Sequence, residues 1–212
     1  MSTTSGLRGH RVQNVEKAEG RRRDILVAAA HIFARDGYVS ASLDDVAAKI
    51  GVTKGVIYYY FRSKEEIFTE IRATAIREAT ERLEAIMASG MPADVMLRLA
   101  VHDIVSHIPD DLDRYANILH AGERLSVQSH ELVRELQRRF EQLFREIVEG
   151  GIRQGTFVEH NAKVVTFTIL RACLGVADWY SPDGPLSAEV IAQQVTDLVM
   201  TGIIKPRLSE DS

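Results

Sequence analysis

The stretch VTKGVIYYYFRSKEE, residues 52–66, sets three consecutive tyrosines between two lysines on a segment with helical spacing. Ile57 and Phe61 lie one helical turn apart, so their side of the helix is predicted to face a core. The opposite side then carries small, aromatic and basic residues: Gly55, Tyr58, Tyr59 and Arg62. Such a surface suits contact with the phosphates, sugars and base edges of DNA. The alternative is that the tyrosines pack a small core, which fits Tyr60 best because it falls near the Ile57 side.

The residues on either side predict further helices. SLDDVAAKIG, residues 42–51, begins with the spacing of a capping box and ends at a glycine. Thr53 can cap the helix that carries the tyrosines, and Ser63 opens an S-x-x-E capping box for a long fourth helix. An amphipathic helix over residues 21–36 precedes them and stops before Gly37. Two short helices joined by a tight turn have the size of a helix-turn-helix.

Charge is distributed unevenly along the 212 residues. Residues 1–64 hold 11 Lys/Arg and 6 Asp/Glu, a balance of +5, whereas residues 65–212 hold 15 and 24, a balance of −9. A basic head on an acidic body predicts that the head alone meets a polyanion, the alternative being chance clustering. Cys173 is the single cysteine, which excludes an internal disulfide and a cysteine-based zinc site. With no apolar signal segment or membrane-spanning run, we expect a cytoplasmic protein that uses no metal.

The rest of the chain is also helical by pattern, and no alternating run predicts a strand. We therefore predict an all-α fold of about nine helices, with a three-helix head and a helical body. Residues 1–20 form a flexible basic arm, residues 21–66 the helix-turn-helix domain, and residues 67–212 the ligand-binding and dimerisation domain. Predicted helices of the body cover about 92–108, 111–126, 130–149, 161–180 and 187–203. Connections are predicted at the Gly150-Gly151 pair together with RQGTF, residues 153–157, and at SPDGP.

The segment 25–68 resembles the DNA-binding head of TetR-family repressors. The shared pattern is A…F…GY…S…D-x-A…GV-x-KG-x-[IV]-YYYF-x-SKEE-[IL], which extends over most of this segment. The resemblance implies an all-α homodimer with a ligand-binding body and a palindromic operator. The implied DNA contacts are Thr53, Lys54, Gly55, Tyr58, Tyr59, Tyr60 and Lys64. Arg22, Arg23 and Ser42 are further candidates for contact with DNA.

Two apolar helices of the body predict a dimer interface. The helix over 161–180 is apolar almost all the way round, and the helix over 187–203 carries a second apolar stripe. Two such helices from each of two chains can form a four-helix interface, so we expect a homodimer. The alternative is that both lie in the core of a monomer. Arg171, inside the first of them, predicts a buried guanidinium, which either pairs with Glu123 or Asp178 or anchors an anionic ligand.

The segment 170–203, LRACLGVADWYSPDGPLSAEVIAQQVTDLVMTGI, is similar to TetR-family regulators of fatty-acid and steroid degradation, whose ligands are CoA thioesters. This resemblance implies that Arg171 contacts the ligand. It also places Gly175 where some members carry a bulky aromatic residue, which changes the pocket. NILHAGERL, residues 117–125, adds further candidate ligand contacts: Asn117, His120 and Glu123. His120 has the alternative of being an ordinary core histidine.

We therefore expect a ligand-responsive repressor, released from a palindromic operator by a small hydrophobic effector such as a CoA thioester. The alternative effector is a non-CoA hydrophobic compound that controls an efflux or stress gene. A DNA-binding architectural protein without a ligand is a further possibility. The sequence shows no glycine-rich phosphate loop, nucleophile elbow or paired-carboxylate motif, so we expect neither an enzyme with catalytic residues nor a bound cofactor.

Overall fold

The computed structural model describes residues 5–108 and 125–205, with side chains from residue 17 onward. Helices account for nearly all of the secondary structure in these ranges, which confirms the predicted all-α fold. The described helices are α1 (Ser5–Asp36), α2 (Leu43–Lys49), α3 (Lys54–Tyr60), α4 (Lys64–Ala88), α5 (Ala93–Ser106), α6 (Val127–Arg153), α7 (Ala162–Leu174), α8 (Val176–Trp179) and α9 (Ala188–Ile203).

The head is formed by α1, α2, α3 and the start of α4. Ser42 accepts a hydrogen bond from the backbone N–H of Asp45 at 3.2 Å, and Ser63 caps α4 in the same way. Gly37 and Gly51 end α1 and α2 with φ of 78° and 67°, as the stop signals predicted. A core of fully buried side chains joins these helices: Ile25, Ala29, Phe33, Val46, Ile57, Phe61, Ile67 and Phe68.

The first helix begins earlier than the sequence predicted. The structure continues α1 back to Ser5, whereas we expected a flexible arm over residues 1–20. The segment contains no proline, and residues 12–19 include several good helix formers, so the helix of the head can extend through it. Residues 5–20 are therefore helical in the structure, where the sequence predicted a flexible arm.

The predicted connection at Gly150-Gly151 is wrong, because α6 continues through both glycines to Arg153. A Cβ on Gly151 would lie 2.1 Å from Cδ2 of Phe157, so glycine there allows the Phe157 ring to pack directly on the helix. The chain turns at Gly155, where φ is 73°, within the RQGTF segment that the sequence also predicted as part of the connection. The sequence signal was a glycine pair, but its cause is close packing rather than a turn.

The helix predicted over 161–180 is divided at Gly175 into α7 and α8. The predicted helix over 111–126 falls almost entirely outside the described residues. After α8 the chain reaches α9, and an isolated antiparallel bridge then pairs Phe157 with Ile204. The bridge is supported by hydrogen bonds from Val158 N–H to the Ile203 carbonyl and from Lys205 N–H to the Thr156 carbonyl, each 2.9 Å long.

The body packs α4 against α6 and α5 against α9, with α7 on α5 and α6. Its core is apolar, and its largest fully buried side chains include Leu97, Ile108, Phe144, Ile147 and Phe157. Among the described helices, none combines the length and apolar character needed to cross a membrane.

Candidate DNA-binding surface and ligand cavity

Helix α3 divides into a buried side and an exposed side as predicted. Ile57 and Phe61 are 0% and 1% exposed, whereas Tyr58 and Tyr59 are 51% and 83% exposed. Tyr60 is partly buried against the core of the head, and its ring meets that of Tyr59 edge-on at 5.1 Å. The alternative in which all three tyrosines form a core is therefore wrong, although Tyr60 partly fits it. Two tyrosine rings are therefore open to contact from outside the described chain.

Gly55 is exposed beside these tyrosines, in the first turn of α3. A Cβ added there would meet only Thr53 Oγ1, at 3.7 Å, which is an ordinary contact. Glycine costs about 0.5–1 kcal/mol relative to alanine inside a helix. No contact within the described part of the chain requires glycine here, so the open space above the backbone is available to something outside the chain. Thr53 occupies the N-cap position of α3 but makes no capping hydrogen bond with its side chain.

The two lysines of this surface already have partners. Lys54 Nζ lies 2.7 Å from Asp44 Oδ2, and this hydrogen bond, together with the charge of Asp44, raises the pKa of Lys54. Lys64 Nζ donates to the backbone carbonyls of Val39 and Ala41, while burial lowers its pKa. Lys64 thus fastens the α1–α2 connection to α4. Contact of either lysine with phosphate stays a prediction.

The basic residues of α1 behave differently from one another. Arg22 stacks on the ring of Phe61 at 4.7 Å, and its Nη1 lies 3.4 Å from Glu70 Oε1. Arg23 is exposed and is better placed to reach solvent or DNA. Ser42 donates its hydroxyl proton to Asp45 Oδ2 at 2.6 Å, in addition to capping α2. Arg22 therefore has a structural role in the head that the sequence did not show, whereas the capping role of Ser42 was predicted.

A cavity of about 330 Å³ lies between α4, α5, α6 and α7 in the body. Its volume is at the lower end of the range for ligand pockets, about 300–1,000 Å³. Apolar side chains form most of its wall, and four polar residues interrupt them: Arg72, Gln137, Glu141 and Arg171.

Two family models match the chain. Residues 25–71 match the model described as bacterial regulatory proteins, tetR family, and residues 89–203 match that described as tetracyclin repressor-like, C-terminal domain. The chain belongs to the TetR family. The resemblance predicted from residues 25–68 is therefore confirmed.

Individual relatives are similar to this TetR-family chain over most of its length. It is 28% identical over 198 residues to the HTH-type transcriptional repressor KstR2 of Rhodococcus jostii, a match that covers 88% of this chain and 93% of that protein. A TetR/AcrR-family transcriptional regulator from Thermobifida fusca, known from a crystal structure, is 31% identical, with a TM-score of 0.69 and coverage of 86% and 98%. The structure of AibR in complex with isovaleryl coenzyme A and operator DNA has a TM-score of 0.78, 21% identity and coverage of 86% and 99%, which shows the shared fold.

The structure of this TetR-family chain places Arg171 on the cavity wall but not in the way that the sequence predicted. Arg171 is exposed rather than buried, because the outer side of α7 has no neighbour within the described chain. Its positive charge acts on Glu141, another residue of the cavity wall. Gly175 does not line the cavity and instead ends α7, with its N–H donating to the Arg171 carbonyl at 3.0 Å. Asn117, His120 and Glu123 lie outside the described residues.

Two cavity residues were missed by the sequence analysis. Arg72 is only 7% exposed, and Glu141 is partly buried. Burial raises the pKa of Glu141, while the positive charges of Arg145, Arg171 and Arg138 act in the opposite direction. Three arginines therefore act electrostatically on this carboxylate, and Arg171 lines the cavity with it. The signal for Arg72 was its place on the apolar stripe of α4, four residues after Phe68 and four before Ile76.

The head and the body are connected at the start of α6. Glu65, in the first turn of α4, accepts hydrogen bonds from the Ser126 N–H at 2.9 Å and from the hydroxyls of Ser126 and Ser129. These hydrogen bonds lower the pKa of Glu65. Leu125, immediately before them, packs into the core of the head. The helix that carries Glu141 is thus attached to the head as well as to the cavity.

Proposed function

We propose that this TetR-family chain is a dimeric repressor that binds a palindromic operator through α3 and leaves it when an effector fills the cavity of the body. The observation that carries the proposal is the exposed side of α3. Gly55, Tyr58 and Tyr59 lie on the surface of a helix that Ile57 and Phe61 hold firmly in the head. Tyrosine hydroxyls can donate to phosphates, and the open backbone at Gly55 allows a close approach to the groove.

The exposed apolar faces of α7 and α9 support a twofold dimer. Val164 on α7 is 64% exposed, and Val190 and Leu198 on α9 are 41% and 76% exposed. A second copy would cover both faces with its own α7 and α9, which is the arrangement of an isologous interface. The two copies of α3 would then meet half-sites about 34–36 Å apart. Such a regulator would act in the cytoplasm, where bacterial DNA lies.

A CoA thioester is the effector that the cavity supports best. The apolar wall can take an acyl group, while Arg138, Arg145 and Arg171 near Glu141 offer positive charge to the phosphates of CoA. The structurally similar AibR is known in complex with isovaleryl coenzyme A. Effector binding would shift α4, re-space the two copies of α3 and release the operator.

The proposal can be tested with the purified protein and a duplex that it selects from a random-sequence pool. Selection of a palindrome, and its release by an acyl-CoA that also raises the melting temperature, is the expected result. Tyr58→Ala should abolish operator binding and retain the thermal shift, while Tyr58→Phe shows what the hydroxyl contributes. Retained operator affinity in Tyr58→Ala would contradict the assignment of α3. A shift with a non-CoA hydrophobic compound, and none with any CoA ester, would contradict only the CoA thioester.

A further inference from the structure

Arg72 is a buried charge in the wall of the cavity that has no ion pair and no hydrogen bond with the described residues. Its side chain projects from α4, is 7% exposed and lines the space between α4, α6 and α7. Its Nε is fully buried and has no hydrogen-bond partner. Its guanidinium lies over the ring of Phe68, with Cζ 5.9 Å from the ring centroid, a distance at the outer limit of a cation–π contact.

This arrangement is costly unless something else satisfies the charge. Arginine stays protonated in proteins, so Arg72 cannot lose its charge as a buried lysine can. Buried charges in folded proteins are paired or hydrogen-bonded as a rule, because desolvation without compensation costs several kcal/mol. The guanidinium presents two parallel N–H groups that match a carboxylate. A cavity that holds such a group is built to receive an anion.

The position of Arg72 indicates which end of a ligand it meets. Arg171 lines the same cavity and is exposed, so it marks the side that opens to solvent. Arg72 is nearly enclosed, so it marks the inner side. Glu141 is partly buried and also lines the cavity. Its carboxylate repels a bound anion, so the anion must lie nearer to Arg72 than to Glu141.

We propose that Arg72 binds a carboxylate at the far end of the effector's acyl group, so that the effector is acidic at both ends. This proposal rests on the effector cavity proposed above and specifies the chemical class of what enters it. The phosphates of CoA stay near Arg171, and the second acid reaches inward to Arg72. A fatty acyl group that ends in a methyl would leave Arg72 unpaired, and such an ester should bind more weakly.

Adipyl-CoA and hexanoyl-CoA test this directly, because they have the same carbon chain and differ in the terminal carboxylate. On the unaltered protein we expect adipyl-CoA to bind at least about tenfold more tightly in calorimetry. Arg72→Met should remove this preference while keeping the binding of hexanoyl-CoA. Equal binding of the two esters by the unaltered protein, or a preserved preference in Arg72→Met, would overturn the proposal.

Arg82 is a matched control on the same helix. Its Nε donates to both carboxylate oxygens of Asp103, at 2.9 and 3.1 Å, and it does not line the cavity. Arg82→Met should lower the melting temperature of the ligand-free protein and leave the preference between the two esters unchanged. Arg72→Met should maintain or raise that temperature, because it removes an unpaired buried charge. A marked fall in Arg72→Met would indicate a structural role and count against the proposal.

Free adipate and its diamide, adipamide, separate a failure of this proposal from a failure of the CoA assignment. If no CoA ester binds but adipate stabilises the unaltered protein and not Arg72→Met, the CoA assignment falls and the role of Arg72 stands. If adipate and adipyl-CoA have no more effect than adipamide and hexanoyl-CoA, the role of Arg72 is overturned. Operator binding by Arg72→Met, which is expected to persist, shows that the head is intact in either case.

Discussion

Replacing Gly55 by alanine should make the head more stable and its binding to DNA weaker. The added Cβ would come no closer than 3.7 Å to Thr53 Oγ1, and the backbone of Gly55 is not in the left-handed region. Alanine is favoured over glycine in a helix by about 0.5–1 kcal/mol. We expect the lower end of this range in the first turn of α3, which raises the melting temperature by about 1–2 °C for a chain of this size.

On the operator, the same methyl group enters the space between α3 and the groove. Overpacking a close contact costs about 1–3 kcal/mol, and a dimer makes the contact twice. Even the lower value gives a loss of about 2 kcal/mol, which is about thirtyfold in Kd. We therefore expect Gly55→Ala to have a slightly higher melting temperature than the original protein. Its Kd for the operator should be higher by about thirtyfold or more.

Fluorescence anisotropy with a labelled operator duplex at one fixed salt concentration measures this loss. Gly150→Ala is the matched control: Gly150 lies within α6, and an added Cβ would have no heavy atom within 4 Å. It should stabilise the protein by a similar amount and leave operator affinity unchanged. A Gly55→Ala protein that is stable and binds the operator within about twofold of the original would refute the reasoning, because such a change is below the effect of one methyl contact.

Three further predictions concern packing, the link between head and body, and the dimer. Gly151→Ala should lower the free energy of unfolding in urea by about 1–3 kcal/mol, because its Cβ would overlap the ring of Phe157. Glu65→Ala should cost about 1–2 kcal/mol by removing the acceptor at the start of α6. Since hydrogen bonds lower the pKa of Glu65, this stabilisation is present above the ordinary glutamate pKa of about 4.3 and is lost as the pH falls through the lowered value. Leu198→Glu should give a folded monomer in analytical ultracentrifugation, with weakened operator binding.

Each of these outcomes has a control that can contradict it. Gly151→Ala should be less stable than Gly150→Ala, and equal stabilities would mean that the Phe157 ring moves aside at no cost. For Glu65→Ala the control is Glu81→Ala, an exposed position on the same helix; equal effects, or a difference from the original protein that persists in acid, would contradict the link to α6. Retention of the dimer in Leu198→Glu would exclude that side of α9 from the interface.

Local signals in the sequence were sufficient for the head. The buried and exposed sides of α3 follow from the spacing of Ile57 and Phe61, and the capping serines at the starts of α2 and α4 were found from residues within one turn. These features depend on neighbours three or four positions away, which a sequence shows directly. The family pattern added the DNA contacts, which stay predictions for each named residue.

Features that depend on distant residues could not be found in this way. The continuation of α6 through Gly151 depends on Phe157 packing against it from beyond the turn. The exposure of Arg171 depends on which helices surround α7, and an apolar sequence does not distinguish the core of one chain from the interface of two. Arg72 lies one turn from Phe68 and from Ile76, and only the packing of α4 against α6 shows that its charge lines the cavity.

Helix α4 extends from the DNA-binding head to the effector cavity. Arg72 can therefore couple effector binding to a movement of the head. Lys64 and Glu65 attach its first turn to the head and to α6, and Arg72 faces the cavity about 12 Å further along the helix. Near-complete release requires an effector that prefers the released state by about 5 kcal/mol, and binding energy that is equal in both states contributes nothing to this preference. Burial of an acyl chain in an apolar cavity is tolerant of small movements, whereas an ion pair between Arg72 and a carboxylate depends steeply on where α4 lies.

The free energy of the ion pair between Arg72 and the carboxylate is therefore expected to differ most between the operator-bound and the released state. It follows that Arg72→Met should still bind hexanoyl-CoA but should no longer be released from the operator by adipyl-CoA at concentrations that release the unaltered protein. Calorimetry and anisotropy on the same samples separate binding from release. Release of Arg72→Met by adipyl-CoA in proportion to its occupancy would show that burial of the acyl chain alone moves α4.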